Sequence, residues 1–541
     1  MSDHRSSSME TLLVGLDGAC LSVLEPLFER NDLPYLRSVF AEGASGPLES
    51  QIPPWTPSAW PSIYTGKNPG RHGVFDFLAF DGYDWDVVNA THVREPSIWE
   101  LLGHYGVSSV VVNVPVTHPP QPFDGALVPG YVAPETPECH PPGLLEEITD
   151  AIGEYRVYPP RDVSSDEQVE RYCELTRMRG DAFRYLADRF DPGFGFVEFQ
   201  GTDTVFHDRP GDLDAVRAIY RAVDAEVGAI LDEHDPENVL VVSDHGIGRY
   251  EEYEVRVNEF LRNEGFLEAR RGGKGMPTWA TVRENRLVKG DAGTERESGL
   301  FERSMALAAR FGVTAQRLER LAEAVGLADV IGGRVSNDVI RAAAEQVDFP
   351  RSRAYMRSRS ELGVRIDLEG REPDGTVPRA EYEGTRSELI AALESVTTPE
   401  GDPVFEDVAP REEYFQGPMV GRAVDVVTVP REFEQFLSAE LGGEVFGAPS
   451  EPWNHEIEGV IAARGTTIDS TVDPEGAHLF DVAPTVLATF GLPRDERMDG
   501  TVLPIVESAG ERAYPAFEPV SETPTDDSAV ENRLADLGYI R

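Results

Sequence analysis

Short apolar runs alternate with longer stretches of helical spacing through the first half of the chain. Four runs have the length of a buried strand, at residues 11–16, 108–114, 193–199 and 238–243. Helical spacing accompanies them at residues 21–40, 97–105, 166–190 and 215–232. Apolar strands that alternate with helices indicate a parallel sheet covered on both faces. We therefore predict an α/β fold with a doubly wound, mostly parallel central sheet flanked by helices.

Two segments interrupt this alternation. Residues 116–163 are rich in Pro and Gly, which predicts a long irregular excursion. Residues 271–350 open with Gly and Arg and then show helical patterns at 299–311, 314–324 and 337–346. Because this helical period breaks the alternating plan, we expect a mainly helical insertion that caps the site.

The sheet pattern resumes after the insertion. Strands are predicted at 363–368, 423–429 and 459–465, and helices at 379–393 and 481–490. The end of the chain is acidic and contains Pro until a short helical pattern at 529–539. The predicted units are a catalytic α/β core in two parts, a helical insertion and a tail, at 9–270, 351–505, 271–350 and 506–541.

Length and hydropathy place the chain among large globular proteins. At 541 residues and 40% hydrophobic content, we expect one large domain with insertions or two to three domains. The apolar runs fall short of the roughly 18 residues needed to cross a bilayer. The N-terminus lacks the apolar core of a signal peptide, because its apolar run is short and ends at Asp17. We therefore predict a cytoplasmic protein that does not associate with membranes.

The charge balance is strongly acidic. The chain has 49 basic and 96 acidic residues, a formal net charge of −47. Acid spread over the whole length predicts a surface adapted to high salt, where screening reduces self-repulsion, although an acidic protein of ordinary salt is the alternative. The same charge argues against a nucleic-acid polymer as partner. Three cysteines without a CxxC pair indicate neither a disulfide framework nor a thiolate metal site.

Thr56 is the first candidate for chemistry. It precedes Pro57, and Ser or Thr before a Pro is typical of a helix start, so we predict Thr56 as a helix N-cap. A hydroxyl there lies among unpaired N–H groups at the positive end of the helix dipole, which suits a phosphate-like anion. An ordinary capping role is the alternative.

Asp and His residues follow several predicted strands. With Thr56 they form a set of hard or borderline ligands without any thiolate: Asp17, Asp203, His207, Asp244, His245 and His455. Asp and His together suit zinc or manganese. Two cations roughly 3.5–4 Å apart can polarise a phosphoryl group and stabilise a leaving oxygen. An activated threonine hydroxyl could then attack phosphorus.

Several motifs resemble one known family. They are VGLDGA, PPWTPSAWPSIYTGKNPGRHGVFDF, VNVPVTHPP, D-x3-H at 203–207, SDHG, GREPDG at 370–375, HEIEGVIAARG, DVAPTVLATFGLP and MDG at 498–500. The chain resembles the alkaline phosphatase superfamily in its type I phosphodiesterase/nucleotide pyrophosphatase branch, in particular the prokaryotic group of predicted phosphohydrolases or phosphomutases. The likeness extends over most of the chain and is weakest at 271–350.

The resemblance implies a role for each matching position. Asp17, Asp244 and His245 would hold one divalent metal, which also binds the Thr56 oxygen. Asp203, His207 and His455 would hold the second metal, and Thr56 would be the nucleophile. Zinc is the expected metal in both places, with manganese as the alternative.

Three further residues are candidates for substrate binding. Lys67 and Asn68 lie in the loop after the Thr56 segment, and Arg371 lies in GREPDG. The alternatives are a solvated loop lysine and an arginine held in a salt bridge. His72 is predicted to orient its loop rather than bind metal, and Asp367 stands where relatives carry Asn.

The expected function is a two-metal phosphohydrolase that acts on a small phosphate ester through a covalent phospho-threonine. Phosphodiesters and nucleotide-type pyrophosphates are the expected substrates. A phosphomutase using the same site and a catalytically silent metal-binding relative are the alternatives. A sulfatase is disfavoured, because it needs Cys or Ser in a C/S-x-P-x-R context and this chain reads TPSAW.

Overall fold

A seven-stranded sheet forms the centre of the protein. The computed structural model describes residues 9–160, 165–271 and 345–523, together with Val530. The strand order is Ala44–Glu49, Glu458–Gly465, Asn238–Val242, Thr11–Leu16, Phe194–Phe199, Ser109–Val112 and Gly125–Val128. Glu458–Gly465 pairs antiparallel with both neighbours, whereas the other pairings are parallel. The predicted α/β fold with a mostly parallel sheet is confirmed.

The central strand shows why this sheet is covered on both faces. All six residues of Thr11–Leu16 are buried. Leu13 packs into one hydrophobic core, and Leu12 and Val14 pack into another. A strand with apolar side chains on both faces needs helices on each side, so polar groups that follow the strand gather at its end, and in open α/β sheets ligands bind outside the carboxyl ends.

Helices cover both faces of the sheet. The α-helices are Leu21–Glu29, Pro34–Glu42, Thr56–Thr65, Pro69–His72, Ile98–Gly103, Leu144–Ile152, Ser165–Phe190, Gly201–Asp208, Leu213–His234, Val257–Asn263, Tyr382–Glu394, Arg411–Tyr414 and Val482–Thr489. Short 3₁₀ turns lie at Ala90–His92, Phe349–Arg351, Arg379–Glu381, Val420–Arg422, Arg431–Phe433 and Leu479–Asp481. The helical stretch predicted at 21–40 is two helices, because the left-handed backbone of Asn31 (φ 55°) ends the first helix and Pro34 begins the second.

A smaller body, here called the small lobe, packs around a third hydrophobic core. Its main sheet has four antiparallel strands, in the order Ala354–Tyr355, Gly363–Ile366, Val426–Pro430 and Phe405–Pro410. Helix Tyr382–Glu394 packs against this sheet. A three-stranded sheet adjoins it, in the order Phe436–Ser438, Glu254–Arg256 and Phe446–Gly447.

Four two-stranded ribbons complete the described strands. They pair Leu78–Asp81 with Asp84–Val87, Gly246–Arg249 with Trp453–Glu456, Ala269–Arg271 with Glu345–Val347, and Arg494–Asp495 with Glu511–Arg512. Along the described ranges, no helix is both long enough and apolar enough to cross a membrane.

The segment 116–163 departs from its predicted irregularity. It contributes the edge strand Gly125–Val128 to the central sheet and forms the helix Leu144–Ile152. The strand has four residues, too few to show a pattern in the sequence. Its pairing partner is the distant strand Ser109–Val112, so tertiary contacts specify it rather than local sequence.

The ends of the predicted insertion meet in an antiparallel ribbon. Ala269–Arg271 pairs with Glu345–Val347, and Arg270 lies opposite Gln346. The helix predicted at 337–346 is therefore wrong for its last two residues, which this pairing holds in a strand. The rest of the predicted helical insertion, and the helix predicted at 529–539 except for Val530, lie outside the described residues.

Candidate active site

Strand ends and one short helix bring the predicted Asp and His residues to the same edge of the central sheet. Asp17 follows the strand Thr11–Leu16, and Asp244 and His245 follow the neighbouring strand Asn238–Val242. Parallel strands end at one edge, which gathers these side chains there.

Two more elements complete the group. Helix Gly201–Asp208 carries Asp203 and His207, which are one helical turn apart and therefore share a face. His455 lies opposite Ile247 on the ribbon that begins just after His245. The six metal-ligand candidates thus come from four separate parts of the fold.

The structure moves the start of the nucleophile helix by one residue from the prediction. Thr56 is the first residue of helix Thr56–Thr65, and Trp55 occupies the N-cap with extended backbone. The N–H groups of Ser58 and Ala59 already donate to the Trp55 carbonyl, which excludes Thr56 as the cap. The N–H of Thr56 itself precedes these first intrahelical hydrogen bonds.

Thr56 lies against the first group of candidates. Its Oγ1 is 3.4 Å from Asp17 Oδ1 and 3.3 Å from His245 Nε2. His245 Nε2 is in turn 3.3 Å from both Asp17 Oδ1 and Asp244 Oδ2. The ligand atoms of these three residues fit within 4.8 Å of one another. One cation could contact all of them and the threonine oxygen.

The second group of candidates is equally tight. His207 Nε2 lies 3.2 Å from Asp203 Oδ1 and 3.3 Å from His455 Nε2. His455 Nε2 is 3.7 Å from the same Asp203 oxygen. The rings of His245 and His455 stack with their centroids 3.7 Å apart, so the two groups adjoin. His245 also lies within 4.8 Å of Asp203 and His455 and therefore stands between the two groups.

Backbone carbonyls orient two of the imidazoles. His245 Nδ1 donates to the Gly246 carbonyl at 2.8 Å, and His455 Nδ1 donates to the Pro54 carbonyl at 2.9 Å. A carbonyl can only accept, so Nδ1 carries a proton in both rings, and Nε2 is the nitrogen that faces the carboxylates and would bind a metal once it has lost its own proton. The neutral ring with its proton on Nδ1 is the tautomer that a metal ligand needs here.

Burial and the proximity of the carboxylates to one another and to the imidazoles shift the pKa values of this cluster. Asp17 and Asp244 are fully buried, and burial raises the pKa of both carboxyls. Burial opposes charge on His245 too, but the nearby Asp244 and Asp17 carboxylates outweigh it and raise its pKa to about 9. Among the described residues, no Lys or Arg forms an ion pair with Asp17, Asp203 or Asp244.

Two buried carboxylate oxygens support a cation at this place. Asp203 Oδ1 and Asp244 Oδ2 make no hydrogen bond. Leaving a buried charged oxygen unsatisfied is costly, and a cation would remove that cost. Three carboxylates and three imidazoles are the donor set that zinc or manganese prefers. The residues present therefore fit two divalent cations.

Lys67 and Asn68 are engaged elsewhere. Lys67 is fully buried and forms ion pairs with Glu95 and, at 3.5 Å, with Asp495, so the alternative of a solvated loop lysine is wrong. Asn68 caps helix Pro69–His72, because its side chain accepts from the Gly70 N–H. These contacts give both residues structural roles and leave the predicted substrate contact without support.

Arg371 also binds protein groups rather than the cluster. Its guanidinium contacts Asp425 at 2.6 Å and Glu372 at 2.9 Å, which is the salt-bridge alternative. Asp367 accepts from Tyr83 Oη at 2.8 Å and from the Thr376 N–H.

His72 has the structural role predicted for it. Its Nδ1 accepts from the Val74 N–H at 3.3 Å, and its Nε2 lies 2.9 Å from Ser62 Oγ. Burial, assisted by the charge on Lys67, lowers the pKa of the imidazole to about 3.

Sequence reasoning missed two residues that touch the group, Trp60 and Glu451, and a third, Arg359, that holds Glu451. Trp60 Nε1 donates to Asp17 Oδ2 at 3.4 Å, and its place one turn after Thr56 could have indicated this. The carboxylate of Glu451 lies 3.6 Å from His207 Nδ1, and Arg359 holds that carboxylate at 2.9 Å. No local pattern marks Glu451 or Arg359, because loops that meet only in the fold bring them together.

Comparisons with known proteins show the family and the fold of this chain. The sequence profile of the type I phosphodiesterase/nucleotide pyrophosphatase family matches residues 11–460. A phosphonoacetate hydrolase from Sinorhizobium meliloti 1021, solved with phosphonoformate, aligns at 16% identity over 88% of this chain and 95% of its own, with a TM-score of 0.52. At that identity the likeness shows a shared fold.

A human protein gives a weaker structural match. Human ectonucleotide pyrophosphatase/phosphodiesterase 5 aligns at 12% identity over 91% of this chain and 97% of its own, with a TM-score of 0.46. No curated protein sequence matches the chain. Because the family profile covers most of the sequence, this protein belongs to the type I phosphodiesterase/nucleotide pyrophosphatase family, which is part of the alkaline phosphatase superfamily.

Proposed function

We propose that the protein is a two-metal phosphohydrolase that cleaves phosphodiesters or nucleotide-type pyrophosphates, with Thr56 as the nucleophile. One observation carries this proposal. The Thr56 hydroxyl lies within 3.4 Å of Asp17 and His245, at the start of a helix and beside a buried cluster of acid and imidazole.

The proposal divides the cluster between two cations. Asp17, Asp244 and His245 would hold the one beside Thr56, and Asp203, His207 and His455 would hold the other. When bound, divalent cations supply Lewis-acid polarisation of the phosphoryl group and lower the pKa of a nearby hydroxyl or water. Zinc is the preferred metal for this donor set, with manganese second.

Thr56 performs the covalent step. Its Oγ1 attacks phosphorus, the new O–P bond forms, and the bond to the leaving oxygen breaks, which gives a phosphorylated threonine and a free alcohol or phosphate. The backbone N–H of Thr56, which precedes the first intrahelical hydrogen bonds, would donate to a phosphoryl oxygen as charge develops there. Water then attacks the same phosphorus, and Thr56 regains its hydroxyl as the second product leaves.

The surrounding residues keep the nucleophile fixed and dry. Every residue of helix Thr56–Thr65 is buried, so Thr56 cannot move without disturbing the core. Asp17 accepts from the Thr56 hydroxyl and from Trp60 Nε1, which fixes the carboxylate between them. Such preorganisation lowers the barrier, because no reorganisation is needed during the reaction.

The test compares Thr56→Ala with Thr56→Ser. Protein purified in high salt and supplied with zinc or manganese should release nitrophenolate from a bis(nitrophenyl) phosphate. Thr56→Ala should fall to background because it lacks the attacking oxygen, whereas Thr56→Ser should retain measurable turnover. Intact-mass analysis after rapid quenching should detect the phosphoryl adduct in the threonine and serine proteins alone.

Two outcomes would contradict the proposal. Turnover by Thr56→Ala comparable to that of the native protein would remove the covalent mechanism. With a labelled sugar phosphate as substrate, transfer of the phosphoryl group to a substrate hydroxyl without release of phosphate into water would show a phosphomutase instead of a hydrolase.

A further inference from the structure

Glu451 lies at the outer side of the second group of ligand candidates. Its Oε2 is 3.6 Å from His207 Nδ1, on the side of the ring opposite Asp203. The same oxygen accepts from Asn454 Nδ2 at 2.9 Å, and Oε1 accepts from Arg359 Nη1 at 2.9 Å. The carboxylate is thus held on two sides and turned toward the imidazole.

The three imidazoles of the cluster follow one plan. Each places Nε2 against the carboxylates of Asp17, Asp203 or Asp244. In His245 and His455 a backbone carbonyl accepts from Nδ1 and so fixes the ring. At His207 the group that faces Nδ1 is the Glu451 carboxylate instead. A carboxylate in this position increases the basicity of the ring more than a carbonyl does.

Arg359 connects this carboxylate to the small lobe. Its side chain is 3% exposed, and its guanidinium lies 4.6 Å from the centre of the Phe436 ring in the three-stranded sheet. Arg359 precedes the strand Gly363–Ile366, so it belongs to the small lobe rather than to the central sheet. The contacts from Arg359 to Glu451 and from Glu451 to His207 therefore connect the small lobe to the ligand candidates at the edge of the central sheet.

We propose that Glu451 is a positioning residue for His207 and that Arg359 holds it in place. When His207 binds a cation through Nε2, its Nδ1–H donates to Glu451, which fixes the ring plane and strengthens the ligand. The present 3.6 Å separation is longer than a hydrogen bond, and a small rotation of the ring would close it. The inference rests on the proposed two-metal function and assigns the affinity of one metal site partly to the small lobe.

Metal affinity provides the test. Metal-free native protein, Glu451→Gln and Glu451→Ala would be titrated with zinc against a chromophoric chelator. We expect both variants to bind two zinc ions but to lose about 10- to 100-fold affinity at one site only, with a larger loss for Ala than for Gln. Glu458→Gln, which changes an exposed acid near His455, is the matched control and should leave both affinities unchanged.

The spectrum of the cobalt(II) protein and the variant Arg359→Lys distinguish a positioning role of Glu451 from an effect on folding. The visible absorption of the cobalt(II) protein reports ligand geometry, and Glu451→Gln should change the band of one site while thermal unfolding stays near that of the native protein. Arg359→Lys should weaken the same site less, and its effect should disappear in the Glu451→Ala background.

The outcomes distinguish this inference from the function on which it rests. Two native-like zinc affinities and an unchanged cobalt spectrum in Glu451→Gln would overturn the positioning role and leave the proposed function intact. Failure of the native protein to bind zinc or cobalt at the cluster would overturn both.

Discussion

At the scale of single residues, burial decides what each ionisable group can do. Asp17 and Asp244 are fully buried, and within the described residues their ion-pair partner is His245 rather than a Lys or Arg, so these carboxylates could take up a cation. Lys67 is just as buried but has Glu95 and Asp495 as partners, which makes it a structural ion pair. The difference between a site residue and a structural residue lies in the partner.

His72 gives a pH-dependent prediction. Its pKa is lowered from about 6.5 to about 3 by burial, so the folded protein binds this proton more weakly than the unfolded chain does. The full stabilisation is present above pH 6.5 and declines as pH falls toward 3, by up to about 1.4 kcal/mol per pH unit. His72→Asn keeps an acceptor for the Val74 N–H and does not titrate.

Denaturant unfolding between pH 7 and 4 checks this prediction. The free energy of unfolding of the native protein should fall more steeply with decreasing pH than that of His72→Asn. Parallel curves for the two proteins would show that the imidazole is not held neutral.

At the scale of elements, the nucleophile helix is fixed by a buried polar network beneath it. Ser58 and Ser62 contact Gln51, and Ser62 also contacts His72 in the short helix that follows. The next turn is tied to the C-terminal part of the chain, because Asn68 N and Arg71 Nε contact Asp499. These contacts set the position of Thr56 from both ends of its helix.

Lys67 gives a prediction about this connection. Lys67→Met removes the ammonium group that pairs with both Glu95 and the fully buried Asp495. Asp495 then keeps Arg497 as its ion-pair partner, and Glu95 loses its contact with Lys67. We expect the free energy of unfolding to fall by about 3–5 kcal/mol, with KM for a phosphodiester unchanged. Chemical denaturation and steady-state kinetics measure the two effects. A raised KM with native stability would restore Lys67 as a substrate contact.

Elements with a strong local pattern were predictable from the sequence. The strand Thr11–Leu16 and the helix Leu213–His234 carry continuous apolar or helical patterns, and Asp17, Asp244 and His245 follow such strands directly. The strand Gly125–Val128 was missed because its stability comes from a partner distant in sequence. Thr56 as N-cap was wrong by one residue, since a Thr-Pro pair does not reveal which carbonyl accepts the first hydrogen bonds.

The site was predictable only in part, because some of its contacts join residues that are distant in the sequence. Asp and His residues that directly follow predicted strands could be identified from their position, and the family resemblance indicated which of them belong to which metal. Glu451 and Arg359 could not be found, because their proximity to His207 depends on how the small lobe packs against the central sheet. The alternatives for Lys67 likewise depended on Asp495, more than four hundred positions away.

At the scale of the whole molecule, charge and architecture have separate roles. The net charge of −47 sets the expected salt requirement, and adaptation to high salt stays a prediction. The architecture places three carboxylates and three imidazoles together inside this acidic protein, and in the part of the chain that the structure describes no Lys or Arg pairs with those carboxylates. Divalent cations therefore meet a favourable field at the surface and unpaired ligands in the interior.

The central proposal is that six Asp and His side chains hold two divalent cations beside Thr56. Anomalous X-ray diffraction at the zinc absorption edge, from crystals of the zinc-loaded protein, tests it most directly. The account predicts two peaks, one among Asp17, Asp244 and His245 next to Thr56 Oγ1, and the other among Asp203, His207 and His455. A map with no peak at the cluster, or with one peak and no second cation beside it, would contradict the account.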